Sequence, residues 1–384
     1  MKVKLKDAFD LQIGRTPARS NAANWNGQYK WISITDLGTA GKYISTTKEK
    51  ITDKGIDESG IKIVPKGTVV MSFKLSIGKT AITTEDMYTN EAIVAFNVRE
   101  SIQVDSSYLY YLCCGNDWGE GTNKAVMGLT LNKATLSEKE IELPEIMIQR
   151  EVAKKLDKLD KIIIQRKKQL QKLDELIQAR FVELFGNESN PKAWEIVNVE
   201  SVADVQVGVV IKPSQYYTDA IDGIKAFRSL NVGEGFIKDE NWVYFTKEGH
   251  KKNAKSVLKE NDLLIVRSGA PGTACVVTKE YEGCNAIDII IAHPNCEKVN
   301  PYYLCAYTNM PHGKKQINEG TGGAAQQHFN VTKYNKLQLM LPPMKLQDEF
   351  VTFVNQVNKS KVEIQQALEK TQLLFDSLMQ QYFG

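Results

Sequence analysis

Two stretches of the chain carry apolar residues at alternating spacings of three and four, the pattern of a helix with one apolar stripe. The stretches cover residues 143–186 and 341–384, and they align without a gap at a shift of 198 residues. Each opens on Leu-Pro and ends on Phe-Gly. Because proline cannot donate to a strand ladder, the Leu-Pro pair ends a strand and a helix follows. The pattern therefore predicts a duplicated chain with one long helix after each half.

Within each predicted helix the apolar stripe repeats every seven residues, as in a coiled-coil seam. The seam residues are Leu156, Ile163, Leu170, Ile177 and Leu184 in the first helix, and Val354, Leu368, Phe375 and Tyr382 in the second. The polar residues that interrupt the seams are Arg166, Arg180, Lys361 and Thr371. A stripe this narrow suits another helix, so we expect the two helices to pack on each other. Packing of each helix on its own domain is the alternative.

Short runs of β-branched and aromatic residues, divided by Gly, Asn and Asp, precede each helix and predict mostly β domains with a few short helices. The two halves correspond loosely, since residues 29–37 resemble 224–232 and residues 66–73 resemble 260–267. The fold class is therefore α+β. The predicted segments are a first domain at 1–142, a helix at 143–186, a linker at 187–194, a second domain at 195–340 and a second helix at 341–384.

Composition changes this picture little. A chain of 384 residues is too long for one ordinary domain, and 42% hydrophobic with 25% charged residues indicates a globular protein. The net charge of +3 permits nucleic-acid binding without arguing for it. Since no run approaches the ~20 apolar residues of a membrane span and the start lacks a signal-peptide core, we expect a cytoplasmic protein with no membrane contact.

The usual signatures of catalysis and metal binding are absent from the sequence. The six cysteines form no Cys-x-x-Cys pair, and a metal site that joins Cys296 to His293 is the alternative to free thiols. Gly78-Lys79-Thr80 resembles part of a phosphate-binding loop, but Phe73 stands where that motif needs glycine. The chain contains neither the Asn-Pro-Pro-Tyr of an adenine methyltransferase nor the Pro-Asp of a metal-dependent nuclease. We therefore expect no catalytic residue and no metal ligand.

Several short motifs follow one another in a recognisable order. The motifs of the first half are Gly14-Arg15-Thr16-Pro17, Asn24-Trp25-Asn26-Gly27 and residues 31–37, and residues 262–269 are related to them in the second half. The helix starts add Gln149-Arg150-Glu151 and Gln347-Asp348-Glu349. Over essentially the whole chain this order resembles the specificity subunit of type I restriction–modification systems. The second helix start departs from the family, which usually has glutamate before glutamine.

The resemblance implies that each half is a target-recognition domain that reads one half of a split duplex-DNA site. The helices would pack antiparallel as a coiled coil and would fix the spacer between the half-sites. Two methyltransferase (modification) subunits, which carry S-adenosylmethionine, would dock on the chain and methylate adenine. Two restriction subunits that use ATP and Mg could join them for phage defence. The chain itself would bind no cofactor and would be a non-catalytic subunit.

Base readout uses side chains such as Arg, Lys, Asn and Gln on loops. The DNA-binding candidates in the first half are Arg15, Arg19, Lys30, Lys74, Lys79, Asn123 and Lys124. Those in the second half are Arg228, Lys251, Lys252, Arg267, Ser268, Lys314, Lys315, Gln326, Gln327 and His328. Arg267 and residues 326–328 rank first because they lie beside glycine turns, where the backbone can approach DNA closely.

Two other classes of function remain open at this point. A two-headed adaptor without a methyltransferase partner would be stable alone and would need no docking. An enzyme with an unrecognised site would bind S-adenosylmethionine or a metal in isolation.

Overall fold

A computed structural model describes residues 1–74, 76–118, 131–187, 189–219, 221–321 and 329–384. The chain divides into two compact units. Unit 1 comprises Met1–Lys168 with Gln365–Gly384, and unit 2 comprises Gln169–Ile364. Each unit therefore combines one globular half with a part of both long helices.

Unit 1 is built around two sheets. Its strands are β1 (Lys2–Lys4), β2 (Phe9–Ile13), β3 (Trp25–Ile32), β4 (Tyr43–Ile44), β5 (Glu49–Ile51), β6 (Val69–Ser72), β7 (Thr80–Thr83), β8 (Tyr88–Thr89), β9 (Ile93–Val98) and β10 (Glu140–Glu142). Its helices are α1 (Leu5–Ala8), α2 (Ile34–Thr39), α3 (Asp53–Ser59), α4 (Ser106–Gly115), α5 (Lys133–Ser137) and the first part of α6 (Ile146–Phe185). The main sheet has the order β2-β9-β6-β7-β4, the small sheet has the order β5-β3-β8, and β1 pairs with β10.

Unit 2 repeats this plan. Its strands are β11 (Glu195–Asn198), β12 (Ala203–Val207), β13 (Tyr217–Thr218), β14 (Ile224–Phe227), β15 (Val243–Phe245), β16 (Leu263–Val266), β17 (Ala274–Val276), β18 (Asn285–Ala286), β19 (Ile289–Pro294) and β20 (Gln338–Leu341). Its helices are α7 (Lys247–Lys252), α8 (Pro301–Asn309), α9 (Pro311–Thr321), α10 (Val331–Asn335) and the first part of α11 (Met344–Phe383). The main sheet is β12-β19-β16-β17, the small sheet is β13-β15-β14-β18, and β11 pairs with β20.

Both faces of the main sheet are buried, which explains why its central strands are continuous apolar runs rather than alternating ones. All four positions of β6 are buried. Val69 and Met71 face the cluster that contains Leu109 of α4, whereas Val70 faces the opposite cluster with Ile32 of β3. Alternate residues of one strand thus fill two separate cores. In unit 2, β16 divides its residues between two clusters in the same way.

The ungapped repeat extends further towards the N-terminus than the sequence pattern indicates. Leu131 and Phe329, again separated by 198 residues, are both buried. Each is followed by an asparagine that caps the next short helix: Asn132 caps α5 and Asn330 caps α10. The last part of each globular half therefore repeats as closely as the helices do.

The two long helices run antiparallel wherever they meet. Their bounds, Ile146–Phe185 and Met344–Phe383, differ by the same shift of 198 residues. In unit 1, Arg166 donates to the carbonyl oxygen of Ala367 and to the hydroxyl of Thr371. In unit 2, Nζ of Lys361 lies 2.6 Å from Oδ1 of Asp174. Contacts between rising numbers on α6 and falling numbers on α11 confirm the predicted antiparallel coiled coil.

The seam residues also pack on the globular halves near the helix ends, so both packing arrangements considered for the helices occur. Leu156 is fully buried in the core of unit 1, where Phe375 and Tyr382 contribute to the same cluster. Ile177 and Val354 pack against the core of unit 2. The seam is therefore continuous with each domain core.

A buried glutamine fixes the start of each long helix. In unit 2, Nε2 of Gln347 donates to the carbonyl oxygen of Pro342 at 2.8 Å, and its Oε1 accepts from the backbone N–H of Asn300 at 2.8 Å. In unit 1, Gln149 does the same with Pro144 and with Asp105, at 2.8 and 2.9 Å. Because Asn300 and Asp105 are the N-caps of α8 and α4, each glutamine ties a long helix to a domain helix.

Candidate nucleic-acid interface

A loop with the same backbone anchor leaves the first strand of the main sheet in both units. We call these the first-strand loops, residues 14–19 after β2 and residues 208–213 after β12. Both begin on glycine, and a Cβ at Gly14 or Gly208 would overlap a backbone carbonyl oxygen of a strand in the small sheet, Thr89 of β8 or Ala286 of β18. The next backbone N–H then donates to that strand, from Arg15 to Thr89 at 2.9 Å and from Val209 to Ala286 at 2.8 Å. The motif glycine is therefore required by a close backbone approach.

In unit 1 the first-strand loop presents two arginines. Nη1 of Arg15 donates to the carbonyl oxygen of Ser59 at 2.7 Å. The guanidinium of Arg19 lies over the ring of Trp25, 3.9 Å from its centroid, and pairs with Glu49 through Nη2 and Oε2 at 3.0 Å. The hydrogen bond from Arg19 lowers the pKa of the Glu49 carboxyl. With 54% of its side chain exposed, Arg19 remains accessible to an incoming ligand.

The three lysine candidates among the described residues of unit 1 contact different parts of the unit. Lys30, in β3, donates to the carbonyl oxygen of Ser45 at 2.6 Å and pairs with Glu85. Lys79 packs against Gly38 at the end of α2. Lys74 lies 5.3 Å from the ring centroid of Phe73. Lys30 and Lys79 are therefore engaged by other parts of unit 1.

In unit 2, the candidates before the central strand lie next to the turn after β14 and on helix α7. Arg228 donates to the carbonyl oxygen of Asn241, and its backbone N–H is held by Asn231 at 2.9 Å. Lys251 and Lys252 are both exposed on α7, where Lys252 pairs with Glu248 at 2.8 Å.

Arg267, ranked first from the sequence, is mostly enclosed. Only 16% of its side chain is exposed, and it pairs with Asp288. Its Nε donates to the carbonyl oxygen of Phe329 at 3.3 Å, and the Phe329 N–H donates back to Arg267 at 3.2 Å. Arg267 thus holds the backbone next to residues 322–328. Ser268 follows it and is half-buried.

The remaining candidates divide between one helix and residues that lie outside the described part of the chain. Lys314 pairs with Glu234, and Lys315 is exposed beside it on α9. Five candidates lie outside the described residues, namely Asn123, Lys124, Gln326, Gln327 and His328. The DNA-contact assignments therefore remain predictions.

The candidates for metal or thiol chemistry among the described residues are His293 and the cysteines. Within the described part of the chain, no group of three His, Cys, Asp or Glu side chains is placed to hold a metal ion. His293 is engaged by Asp262 at 2.6 Å and by Gln206 at 2.8 Å, and not by Cys296. Burial raises the pKa of the Cys305 thiol to about 12, which leaves it protonated and unreactive at neutral pH.

Sequence reasoning missed the tip of the first-strand loop in unit 2. Val210 and Ile211 are 49% and 79% exposed, although a run of apolar residues after a strand suggests burial. The next residue, Lys212, is also exposed and adopts a left-handed backbone with φ of 42°. The sequence signal for this exposed loop was that residues 208–211 align with the Gly-Arg-Thr-Pro motif of unit 1.

Comparison with known proteins identifies the class. The family model described as "Type I restriction modification DNA specificity domain" matches residues 1–175 and again residues 191–373. Because the two matches cover nearly the whole chain, the chain belongs to this family. It is a DNA-specificity subunit of a type I restriction–modification system, a subunit that recognises DNA sequence and is not catalytic. The resemblance found in the motifs is thereby confirmed.

Individual relatives agree in sequence and in fold. The chain is similar to the type I restriction enzyme MjaIX specificity subunit of Methanocaldococcus jannaschii, with 23% identity over 98% of this chain and 90% of that protein. Its fold is similar to the crystal structure of the type I restriction–modification system S subunit from M. genitalium, with a TM-score of 0.61 and 14% identity. This match covers 100% of this chain and 96% of that chain. The fold is also similar to a structure whose subject is complex assembly and conformational transition of the type I R-M system. The TM-score is 0.62 and the identity is 15%, and the match covers 100% of this chain and 97% of that chain.

None of the helices in the described part of the chain is both long and apolar enough to cross a membrane.

Proposed function

We propose that this subunit recognises a bipartite duplex-DNA target, with one half-site read by each unit. The observation that carries the proposal is a duplicated scaffold with two different surfaces. Four strands of the main sheet, the loop glycine, the buried glutamine and the long helix of one unit all have counterparts in the other. The first-strand loops, by contrast, present Arg15 and Arg19 in unit 1 and Val210 and Ile211 in unit 2. One scaffold with two surfaces suits two half-sites of different sequence.

The coiled coil is proposed to fix the spacer between the half-sites. Each long helix has 40 residues, which at 1.5 Å per residue gives a rod of about 60 Å. Successive turns of duplex DNA repeat every ~34–36 Å, so a rod of this length suits readers on different turns. The polar seam residues support a single register, because slippage would leave Arg166 without the hydroxyl of Thr371.

The partners of the chain are also part of this proposal. Two methyltransferase subunits are proposed to dock on it and methylate adenine in each half-site, and two restriction subunits are proposed to join them. S-adenosylmethionine, ATP and Mg would bind to those subunits and not to this chain. A cytoplasmic location is also part of the proposal, because the complex would act on genomic DNA.

The experiment is a methylome of a methylation-free host that expresses the chain with its modification subunit. We expect N6-methyladenine at a split motif only when the chain is present. Exchange of residues 195–340 for another reader should change one half-site, and exchange of residues 1–142 should change the other. A continuous motif, or a change in both half-sites from one exchange, would contradict the proposal.

A further inference from the structure

The first-strand loop of unit 2 combines a fixed base with an exposed apolar tip. At its base, Val209 donates its N–H to Ala286 at 2.8 Å and accepts from the N–H of Asp288 at 3.1 Å. The tip is formed by Val210 and Ile211, and Ile211 has 79% of its surface exposed. Two adjacent branched side chains held out on an anchored backbone form a stiff, preformed projection.

Cations border this apolar tip. The loop continues into a short turn that ends at Tyr216, and the carbonyl oxygen of Tyr216 accepts from Thr246, the N-cap of α7, at 2.8 Å. The charged side chains of α7 are Lys247, Glu248, Lys251 and Lys252. Lys212 adds a further exposed cation next to Ile211. The first-strand loop and α7 together therefore carry four lysines and one glutamate.

Unit 1 distributes its charges in the opposite way around the same scaffold. Its first-strand loop carries Arg15 and Arg19, and its helix α3 corresponds to α7 because Thr52 and Thr246 cap the two helices through equivalent glycines. The charged side chains of α3 are Asp53, Lys54, Asp57 and Glu58. In unit 1 the loop carries two arginines and the helix is acidic, whereas in unit 2 the loop has an apolar tip followed by one lysine and the helix is basic.

We propose that Val210 and Ile211 read thymine by contact with its 5-methyl group in the major groove, in the half-site that unit 2 recognises. This inference rests on the proposed function. Thymine is the base that presents a methyl group in that groove, and apolar side chains recognise it by direct contact. Lys212 and Lys251 contact phosphates beside it and orient the loop. The surrounding positive charge favours duplex DNA over an apolar protein surface as the ligand of this tip.

The test uses the complex of the full chain with its modification subunit and a synthetic duplex that carries the methylated split motif. Each thymine is replaced in turn by deoxyuridine, which removes the methyl group and keeps the base pair. Affinity is measured by fluorescence anisotropy at fixed salt. We expect a loss of about four-fold at one or two thymines of the unit 2 half-site, the value of one buried methyl group.

Variants locate the effect. In Ile211→Ser, affinity for the thymine duplex should fall and the same deoxyuridine substitutions should lose their effect. Ile221→Ser is the matched control, because Ile221 is 94% exposed in the same unit but stands between Asp219 and Asp222, which phosphates repel. Lys251→Ala should weaken binding to all sequences alike. The slope of log affinity against log salt concentration should also fall in magnitude by about one, because one phosphate contact is lost.

Three outcomes would overturn the inference. In the first, no thymine of that half-site responds to loss of its methyl group. In the second, Ile211→Ser retains the full deoxyuridine effect. In the third, Ile211→Ser binds DNA normally but no longer co-purifies with the modification subunit, which assigns the tip to a protein contact. A complex that binds no duplex with a split motif would instead overturn the proposed function and this inference with it.

Discussion

The buried glutamine at the start of α11 gives a direct test of how the globular half is joined to the long helix. Gln347 is fully buried, and its amide group pairs with two backbone groups, the carbonyl of Pro342 and the N–H of Asn300, both at 2.8 Å. Gln347→Leu keeps a side chain of similar size. It leaves both backbone groups inside the protein without their side-chain partner.

The expected cost follows from those two groups. A buried polar group that loses its partner costs about 1–3 kcal/mol, so two such groups give about 2–6 kcal/mol. The added apolar carbon recovers about 1 kcal/mol of this. We therefore expect Gln347→Leu to lower the free energy of unfolding of unit 2 by about 1–5 kcal/mol, a large share of the stability of an ordinary domain.

Hydrogen exchange locates the effect because it reports the opening of each segment separately. In Gln347→Leu, amides at the start of α8 and α11 should exchange about five-fold to a few thousand-fold faster, since about 1.4 kcal/mol is a factor of ten, whereas amides of unit 1 should be unchanged. Gln356→Leu is the control, since Gln356 is exposed on the same helix. Protection of α8 equal to that of the control would refute the assignment of Gln347 as the anchor.

Two further predictions concern the spacer and the loop anchor. A heptad inserted in both long helices, after Lys168 and after Ile364, lengthens each by about 10 Å and should add about three base pairs to the methylated motif. An unchanged spacer would contradict the proposal that the coiled coil fixes the distance between the half-sites. Gly208→Ala should cost unit 2 about 1–3 kcal/mol and abolish methylation at the split motif, because its Cβ overlaps the carbonyl of Ala286. Gly41→Ala, where a Cβ has nothing within 4 Å, should have no effect in the same urea-unfolding and methylation assays.

The long helices were predictable because their signals are local. The seven-residue period identifies the positions of the buried stripe. Leu-Pro marks the end of the preceding strand, and Phe-Gly marks the end of the helix. The predicted segments 143–186 and 341–384 exceed the observed α6 and α11 by only a few residues. The order of the strands within each sheet, by contrast, depends on pairings between distant segments, and no local pattern specifies it.

The site was harder to predict because exposure and pairing are tertiary properties. Arg267 lies beside a glycine turn in the sequence, but its partner Asp288 stands just before the neighbouring strand β19 and pairs with it. Ile211 belongs to an apolar run that is indistinguishable from a buried strand until the turn at Lys212 is known. Gln149 and Gln347 were visible as repeated residues, but their role appears only when the caps of α4 and α8 are placed beside them.

The division of labour within each unit explains how the two surfaces can differ while the scaffold stays the same. The residues that stabilise a unit lie in the main sheet, its helices and the seam, where Leu156 and Phe350 are fully buried. The first-strand loops contribute backbone anchors through glycine, and these depend little on the side chains that follow. A substitution at Ile211 is therefore expected to cost little in folding, since exposed positions away from buried contacts usually shift stability by less than about 0.5 kcal/mol. Under the proposed function, one half-site would change without loss of the other half-site or of the spacer.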